Sequence, residues 1–490
     1  MHPFITVLYT VAALLGASFA VAEFRLIVRF LRNRRAALAV VQGGGGGTGS
    51  REGPFPTVTI QLPLYNERLS ARQVILAAAE QDYPRDRFDI QVLDDSTDET
   101  TALVREVVEE VRARGVRIEH LHRTNRAGFK AGALAAGLQE SRADFVALFD
   151  ADFRPPADFL RRVLNPQGAF KDADVAFVQT RWSLDQAIRG AFDAALSLFI
   201  DRHFYIQKPA RAFAGQVTAF NGSAGIWRRA AIDAAGGWSA DTLTEDLDLS
   251  YRCALAGWRG AYVHDVAVPN QLPGHMRSFK IQQLRWARGT AQCLRKLTGP
   301  VMDRRNSLKD RWEEFFLLAG YGVHPVILAN LILWPWAVLY VDRTFFLVMQ
   351  AVMSLATLAA PVGFVLTLRE RGERLRPANL AQALVGLVLG MGLMVNNTVG
   401  QIQGLLSGQG EFARTPKVWR PHGGVSPSEP RPYHSPLHWT FYAELVVLAY
   451  CLAGSAILIS RGEALWAFPL LFWGVCIGMV VQLQLAPQPA

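Results

Sequence analysis

The stretch Phe145-Val146-Ala147-Leu148-Phe149-Asp150-Ala151-Asp152-Phe153 decides how the first half of this sequence is interpreted. Its apolar beginning predicts a buried strand, and two carboxylates follow where that strand ends. In open α/β sheets, ligands bind outside the carboxyl ends of the strands. Two acids two residues apart can share a hard divalent cation, which prefers oxygen ligands. The stretch predicts a metal site at Asp150 and Asp152, with two solvated acids at a strand end as the alternative.

Strands and helices alternate around this stretch. Apolar runs predict strands at 58–62, 90–93, 118–121 and 145–149, and helical periodicity predicts helices at 70–81, 100–114 and 130–139. Such alternation is typical of an α/β domain with parallel strands and right-handed crossovers. Polar residues recur at three strand ends, as Asn66-Glu67, Asp94-Asp95 and Asp150-Asp152. We expect these ends to converge on one crevice, although each alone is also typical of a turn.

The composition indicates a membrane protein. Of 490 residues, 50% are hydrophobic and unevenly distributed, and the formal net charge is +9. Long apolar runs predict membrane segments, and the positive charge suits an anionic leaflet and anionic substrates without requiring nucleic acid. The four cysteines (Cys253, Cys293, Cys451 and Cys476) lack C-x-x-C spacing. We therefore expect neither a zinc site nor a disulfide framework.

The expected organisation is a soluble domain between membrane segments. The predicted parts are an N-terminal transmembrane helix at 1–24, a basic and Gly-rich linker at 25–54, a cytosolic domain at 55–268, amphipathic interface helices at 269–312, and a transmembrane region at 313–490. Arginines after the first apolar run favour an N-terminus outside and a cytoplasmic basic cluster. For 269–312, ordinary amphipathic helices of the globular domain are the alternative.

Charge decides which apolar runs of the second half are expected to cross the membrane. The runs are 315–341, 345–368, 380–406, 441–459 and 465–483. Arginine-rich loops flank 380–406 on both sides, so both flanks are expected in the cytoplasm. We predict that 380–406 lies along the interface or re-enters, in agreement with its polar Asn396, Asn397, Gln401 and Gln403. The count is then five crossings with the C-terminus inside; a full span that breaks the charge bias is the alternative.

Six motifs carry a resemblance to a known family. They are Leu62-Pro63-Leu64-Tyr65-Asn66-Glu67, Val92-Leu93-Asp94-Asp95-Ser96-Thr97-Asp98, the run from Asn125 to Leu134, Phe149-Asp150-Ala151-Asp152, Thr244-Glu245-Asp246, and Gln282-x-x-Arg285-Trp286. In this order the sequence resembles processive family 2 glycosyltransferases, most of all the cellulose synthase-like A and C group typified by glucomannan mannosyltransferases. Each motif alone is weak, whereas six in the family's order are a strong signal.

The resemblance implies a fold and a reaction. The fold is a type A nucleotide-sugar-binding glycosyltransferase domain with a Rossmann-like mixed α/β sheet, plus an α-helical transmembrane region. The reaction is inverting transfer from a nucleotide sugar. Inversion needs one general base to take the proton of the attacking hydroxyl, and the resemblance gives this role to Asp246. The local sequence alone also fits a helix N-cap at this residue.

The resemblance also implies a donor site and an acceptor site. Nucleotide-sugar binding falls to Tyr65, Glu67, Asp94, Asp95, Lys130, Asp150, Gln282, Arg285, Thr415 and Lys417. Mg²⁺ or Mn²⁺ on the diphosphate falls to Asp150 and Asp152. Acceptor binding falls to Trp286, Phe220, Asn221, Gly222 and Glu245. An arginine can fork to phosphate oxygens, and a tryptophan face can stack on a sugar ring. The family commonly has Cys where Asn221 stands.

The segment 407–436 contains a further resemblance. Phe412-Ala413-Arg414-Thr415-Pro416-Lys417 is similar to the family's gating loop, F-x-V-T-x-K. Thr415 and Lys417 fit a loop that covers the bound diphosphate, whereas Arg414 departs from the usual Val. The alternative is a basic loop close to the membrane.

The sequence thus predicts a membrane-integrated, inverting, processive β-glycosyltransferase that elongates and translocates a β-1,4-linked hexose polymer. Mannan or glucomannan is expected first and glucan second. Expected partners are GDP-mannose, GDP-glucose or UDP-glucose, the growing polysaccharide and the lipid bilayer; accessory subunits stay undetermined. The expected location is a bacterial inner or plasma membrane with a cytoplasmic catalytic domain. Two alternatives remain: transfer of one sugar to a lipid, as in ceramide glucosyltransferases, and a non-catalytic scaffold or polysaccharide channel.

Overall fold

The computed structural model describes residues 2–41, 55–166, 168–184, 188, 190–213, 216–304, 307–407, 410 and 435–486. Seven strands form one sheet: β1 (Val58–Leu64), β2 (Phe88–Asp94), β3 (Ile118–His122), β4 (Phe145–Leu148), β5 (Val175–Ser183), β6 (Gly225–Arg228) and β7 (Arg259–Pro269). Their spatial order is β3-β2-β1-β4-β6-β5-β7.

The sheet is mixed. Strands β1 to β4 run parallel, β6 runs antiparallel to both β4 and β5, and β7 runs parallel to β5. The expected fold class, a Rossmann-like mixed α/β sheet, is confirmed. Strands and helices alternate along the whole domain, but the all-parallel arrangement holds only up to β4, because β6 inserts between β4 and β5 as a short reversed strand.

Eighteen α-helices complete the described chain. They are α1 (Pro3–Val41), α2 (Ala71–Ala79), α3 (Thr100–Ala113), α4 (Phe129–Glu140), α5 (Phe159–Val163), α6 (Ala191–Arg202), α7 (Lys208–Phe213), α8 (Arg229–Ala234), α9 (Glu245–Leu255), α10 (Met276–Met302), α11 (Leu308–Leu318), α12 (Val323–Tyr340), α13 (Arg343–Thr357), α14 (Ala359–Glu370), α15 (Pro377–Gly392), α16 (Met394–Leu406), α17 (Thr440–Ser460) and α18 (Ala464–Leu485). A π-helix, His203–Gln207, joins α6 to α7.

The core lies on both faces of the sheet because side chains alternate along each strand. On one face, Val58, Ile60 and Leu62 of β1 are fully buried against apolar residues of α2 and α3. On the other face, Val146 and Leu148 of β4 pack in a second apolar cluster with residues of α4, α8 and α9. Burial of both faces is typical of sheets covered by helices on each side, and it leaves the carboxyl ends of the strands free to form a site.

Five helical stretches in the described residues are long and apolar enough to cross a membrane: Pro3–Arg34, Gly320–Tyr340, Arg343–Glu370, Thr440–Ser460 and Ala464–Leu485. Helices α15 and α16 form a further pair, bent by 44°, that has the character of a broken span or a re-entrant loop. Helix α1 continues without a long break to Val41. Residues 25–41 of the expected linker are therefore helical.

The polar residues of α16 have a partner that the sequence did not reveal. Gln401 Nε2 donates to the carbonyl oxygen of Ala287 at 2.6 Å, and Asn396 Nδ2 donates to that of Lys280 at 3.1 Å. A Cβ on Gly404 would lie 2.3 Å from the carbonyl oxygen of Arg288. Helix α16 therefore packs at backbone distance against α10, and its amides serve this helix contact.

Candidate active site

The three acidic strand ends open into one cavity of about 1110 Å³. Fourteen of the residues with a predicted role line it: Tyr65, Glu67, Asp95, Lys130, Asp150, Asp152, Phe220, Asn221, Gly222, Glu245, Asp246, Gln282, Arg285 and Trp286. They come from β1, β2, α4, β4, α9, α10 and the connections between them. The cavity continues from these polar groups to side chains of the candidate membrane helices, such as Trp334 and Phe472.

Lys130 connects the residues predicted to bind a metal with the residues predicted to bind the acceptor. Its Nζ lies 2.5 Å from Asp150 Oδ1 and 3.6 Å from Glu245 Oε1, and it donates to the carbonyl oxygen of Gly222 at 2.8 Å. Burial alone would lower the pKa of Lys130, but Asp150 and Glu245 raise it. The lysine is therefore a fixed positive charge among carboxylates.

Asp246 stands in the first turn of α9, which begins at Glu245. It is not the N-cap, because Thr244 occupies that position. Burial, followed by the neighbouring Glu245, raises the pKa of Asp246 to about 7. A carboxylate with such a pKa can accept a proton near neutral pH and release it again. The environment therefore suits a general base.

A hydrogen-bonded chain fixes the loop beside Asp246. Ser250 Oγ donates to the carbonyl oxygen of Asp246 at 2.6 Å and accepts from the backbone N–H of Phe220 at 2.8 Å. Asn221 donates its N–H to Gln179 Oε1 at 2.7 Å. Gly222 adopts φ of +76°, and a Cβ there would lie 3.3 Å from Asp246 Oδ2. Glycine is favoured because the backbone is left-handed here and an added Cβ would crowd the Asp246 carboxylate.

Helix α10 brings the Gln282, Arg285 and Trp286 set to the same cavity. Burial lowers the pKa of Arg285, and Glu245 followed by Asp150 counteracts this lowering. The guanidinium thus faces the acidic cluster. A Cβ on Gly289 of the same helix would lie 2.5 Å from Thr244 Cγ2. Because Thr244 directly precedes Glu245, α10 presses on the start of α9.

The end of the cavity with the predicted nucleotide-sugar residues Tyr65 and Asp95 carries a stacked pair. The guanidinium carbon of Arg126 lies 3.4 Å from the ring centroid of Tyr65, and both residues line the cavity. Asp95 also lines it, and Arg123 binds both Asp95 carboxylate oxygens at 2.7 and 2.6 Å. Arg126 was not predicted as a site residue, although it lies within the Asn125 to Leu134 motif.

Asp94 differs from the other predicted donor residues because it is fully buried and does not line the cavity. Its carboxylate pairs with His120 Nε2 at 2.9 Å and accepts from the N–H of Ser96. Burial would raise its pKa, but the His120 and Ser96 hydrogen bonds lower it to about 2. The carboxylate of Asp94 and the rings of His120 and His122 place three ligand atoms within 4.8 Å of one another, a spacing that a metal ion could use.

The side chains of Asp150 and Asp152 fit a hard divalent cation. Both residues line the cavity just after β4. The side chain of Asp150 is 36% exposed, and Asp152 as a whole residue is 9% exposed. Carboxylate oxygens are the ligands that Mg²⁺ and Mn²⁺ prefer. Thr415 and Lys417, the remaining predicted donor residues, lie outside the described residues.

A further set of polar and charged residues at the cavity was not predicted from the sequence. Glu23, Arg202, His203, Gln207 and Arg211 line the cavity, and Lys208 is buried beside it. Burial lowers the pKa of Lys208 to about 7 and that of His203 to about 3. A signal was available in Glu23, an acid inside an apolar run, because such residues are usually functional.

This fold and site define a class. A mixed α/β sheet with acidic strand ends, a half-buried candidate base and an attached arginine–tryptophan helix is a glycosyltransferase domain of the type A fold. Residues 56–289 match the sequence model described as "Glycosyltransferase like family 2". Residues 56–289 therefore form a glycosyltransferase family 2 domain.

The curated relatives belong to the cellulose synthase-like A type. The chain is 38% identical over 280 residues to probable glucomannan 4-beta-mannosyltransferase 11 of Oryza sativa subsp. japonica, covering 56% of this chain and 49% of the relative. It is 37% identical over 280 residues to glucomannan 4-beta-mannosyltransferase 2 of Arabidopsis thaliana, covering 56% and 52%. The chain thus spans about half the length of the curated relatives it matches.

Two solved structures match the chain at low sequence identity. Mannosyltransferase PcManGT from Pyrobaculum calidifontis, in complex with GDP-Man and Mn²⁺, matches at 21% identity and a TM-score of 0.48, covering 80% of this chain and 99% of its own. S. aureus TarS matches at 15% identity and a TM-score of 0.39, covering 65% and 56%.

Proposed function

We propose that this protein is a membrane-integrated, inverting β-hexosyltransferase that uses a nucleotide sugar to elongate a β-1,4-linked polymer. The observation that carries the proposal is the meeting of Asp150, Lys130, Asp246 and Trp286 in one cavity. Carboxylates for a metal, a cation for phosphate, a base and a stacking surface are the four parts that such a transfer needs. Mannan or glucomannan is the first candidate product, and glucan is the second.

Asp246 is proposed to act as the general base. Its carboxylate takes the proton of the acceptor hydroxyl while that oxygen attacks the anomeric carbon. The new carbon–oxygen bond forms as the bond to the diphosphate breaks, and the nucleoside diphosphate leaves. Attack from the face opposite to the leaving group inverts the configuration. With its pKa raised to about 7, Asp246 is a stronger base than an ordinary aspartate.

Donor binding rests on the charges around Asp150. Asp150 and Asp152 would hold Mg²⁺ or Mn²⁺, which when bound neutralises the diphosphate as it departs. Lys130 and Arg285 supply positive charge on the same side of the cavity. Tyr65 and Glu67 are proposed to bind the nucleoside with Asp95. The buried Asp94 is proposed to support these residues from the interior of the domain.

The donor and product are proposed from the relatives. Their names specify mannosyl transfer into β-1,4 linkages, so GDP-mannose is the first candidate donor, with GDP-glucose and UDP-glucose next. The catalytic domain is proposed to face the cytoplasm of a bacterium, where nucleotide sugars are made, with α15 and α16 re-entering from that side. Translocation of the polymer through the cavity is part of this proposal.

A second candidate function is transfer to a lipid-linked acceptor. One observation favours it: the part of the cavity between the membrane helices is lined mainly by apolar side chains, among them Phe19, Met353, Phe364, Met391 and Phe472. Such walls suit a hydrocarbon chain better than a hydroxyl-rich polymer, because sugar hydroxyls that lose water need hydrogen-bond partners.

Purified full-length protein tests the proposal. With Mn²⁺ and each of GDP-mannose, GDP-glucose and UDP-glucose in turn, one donor should yield a β-1,4-linked product by linkage analysis. The Asp246→Asn variant should make none, whereas Asp233→Asn, an exposed residue on α8, should act as the wild type. Full activity of Asp246→Asn would reject the mechanism. A lipid that carries a single added sugar, in place of a polymer, would support the second candidate function.

A further inference from the structure

A belt of charge divides the cavity into two parts. We define the charged girdle as Glu23, Arg25, Arg29, Arg202, Arg211 and Glu313. Four of its members, Glu23, Arg202, Arg211 and Glu313, line the cavity. On three helices an apolar lining residue lies one turn away from a girdle residue: Phe19 near Glu23 on α1, Phe199 near Arg202 on α6, and Phe316 near Glu313 on α11. The girdle is thus the border between the polar transfer site and the apolar part.

The girdle carries an excess of positive charge. Glu23 binds Arg202 and accepts from Gln207. Glu313 binds Arg25 at 2.6 Å and Arg29 at 2.6 Å. Both carboxylates are therefore already engaged, and four arginines face two glutamates.

Arg211 is the member left over. Its guanidinium forms no hydrogen bond or ion pair with any residue of the described part of the chain. Burial lowers the pKa of Arg211, and Glu23 only partly counteracts this. Arg211 is half-buried, and a charge held partly out of water without a bonded partner is costly. Arginine presents a planar fork that matches phosphate oxygens. The cavity therefore offers an anion a place at Arg211.

The position of Arg211 relates this anion to the transfer site. Arg211 follows Lys208 by three residues on α7, a rise of about 4.5 Å along a helix. Lys208 Nζ donates to the carbonyl oxygen of Ala219, next to the predicted acceptor residues Phe220 and Asn221. Arg211 is thus about one helical turn from a lysine that contacts the segment with the predicted acceptor residues, and it lines the same cavity.

We propose that the acceptor is a sugar joined through a phosphate to an apolar chain. This inference rests on the second candidate function, transfer to a lipid-linked acceptor, and names its acceptor class. The sugar lies at Trp286 and Asp246, its phosphate binds Arg211, and the chain occupies the apolar part of the cavity. The phosphate does not react: the acceptor hydroxyl gives its proton to Asp246, bonds to the anomeric carbon of the donor sugar, and releases the nucleoside diphosphate.

An acceptor panel on the full-length protein in detergent tests this. Mannosyl decyl phosphate has the sugar, the anion and the chain; decyl mannoside lacks the anion, and mannosyl phosphate lacks the chain. The wild type should use mannosyl decyl phosphate with the highest kcat/KM. In Arg211→Gln the ratio of kcat/KM for mannosyl decyl phosphate over decyl mannoside should fall roughly tenfold to a hundredfold, the size of a charged hydrogen bond.

Two controls accompany the panel. Arg211→Lys should recover part of the ratio, because it keeps the charge. Arg34→Gln should leave the ratio unchanged, since Arg34 pairs with Glu370 at 2.6 Å and does not line the cavity. Inorganic phosphate separates the two sources of the anion. Strong competition by it against mannosyl decyl phosphate would assign the site to free phosphate and overturn the proposal.

The remaining outcomes separate this inference from the proposed function. Equal use of decyl mannoside and mannosyl decyl phosphate by the wild type would overturn the acceptor class while leaving hexosyl transfer intact. That comparison needs no variant, so a misfolded Arg211→Gln protein cannot obscure it. Absence of transfer to every acceptor and absence of donor hydrolysis would instead reject the proposed function itself.

Discussion

The ammonium group of Lys130 lies 2.5 Å from Oδ1 of Asp150, one of the two carboxylates that fit a metal ion. The lysine therefore neutralises Asp150 before any substrate binds. Because a metal ion and Lys130 compete for the same oxygen, Lys130→Met should bind Mn²⁺ more tightly in the absence of nucleotide, by about tenfold, the effect of roughly 1.4 kcal/mol. Calorimetric titration with Mn²⁺ measures this.

The same variant should bind the donor more weakly, since it lacks a cation at the diphosphate. The donor KM should rise by about tenfold or more. Lys171 is exposed and does not line the cavity. Lys171→Met is therefore the matched control for loss of a lysine. Unchanged Mn²⁺ affinity in Lys130→Met would show that the ion binds elsewhere.

The raised pKa of Asp246 predicts the pH dependence of transfer. A base must be deprotonated to act, and burial with Glu245 raises this pKa to about 7. The value of kcat/KM should therefore fall by about tenfold per pH unit below pH 7 and level off above it. Asp246→Asn should lower kcat by about a hundredfold to ten-thousandfold. A rate that stays constant between about pH 5 and about pH 7 would assign the base to another group.

Asp246 should also affect stability, with a definite sign. Its pKa is higher in the folded protein than the ordinary value of 3.8, so ionisation is disfavoured by folding. Stability is lost as pH rises from the ordinary pKa toward about 7. Asp246→Asn removes this loss, so its melting temperature should exceed that of the wild type more in mildly alkaline buffer than in acidic buffer. A difference that shrinks with rising pH would contradict the assigned burial.

Gly289 offers a test of how α10 positions α9. An added Cβ would lie 2.5 Å from Thr244 Cγ2 and 3.0 Å from the Thr244 nitrogen. Gly289→Ala must therefore displace the residue that precedes Glu245 and Asp246, and kcat should fall by about tenfold or more, because small misplacements of catalytic groups cost rate. Gly299→Ala on the same helix, where a Cβ meets nothing within 4 Å, is the control. Equal kcat in both variants would contradict this coupling.

A buried ion pair joins α10 to the candidate membrane helices. Lys280 Nζ lies 2.7 Å from Glu444 Oε1, and Gln484 Nε2 donates to the same carboxylate at 2.8 Å. Lys280→Met leaves a buried carboxylate unpaired and should lower the free energy of unfolding by about 3–5 kcal/mol. The Lys280→Met/Glu444→Gln double variant should recover most of it. Thermal unfolding of Lys280→Met, Glu444→Gln and the double variant measures this. If the losses of the two single variants simply add in the double variant, the pair does not interact.

Much of the fold followed from local pattern. The four predicted strands lie within two residues of β1 to β4, because alternating or continuous apolar runs bounded by polar residues identify buried strands. The mixed sheet followed from the family resemblance alone. Strand alternation by itself predicted parallel strands, and it could not reveal β6, whose direction depends on its two neighbours in space.

The candidate site divides in the same way. Motif order was sufficient to select residues such as Lys130, Asp150 and Trp286, which line one cavity. Asp94 shares a motif with Asp95 but does not line the cavity, because strand geometry turns adjacent side chains in opposite directions. No motif contains Arg211, and its lack of a bonded partner in the described structure depends on how α1, α6 and α11 pack.

The sequence by itself determined the fold class, the candidate membrane helices and most of the candidate site residues, because each is written in local order and spacing. The tertiary structure alone decided that the amides of α16 bind the backbone of α10, that Gly289 presses on Thr244, and that a charged girdle crosses the cavity. These relationships join residues distant in the chain. They depend on which surfaces pack together, and that is settled by the free energy of the whole assembly of helices and sheet.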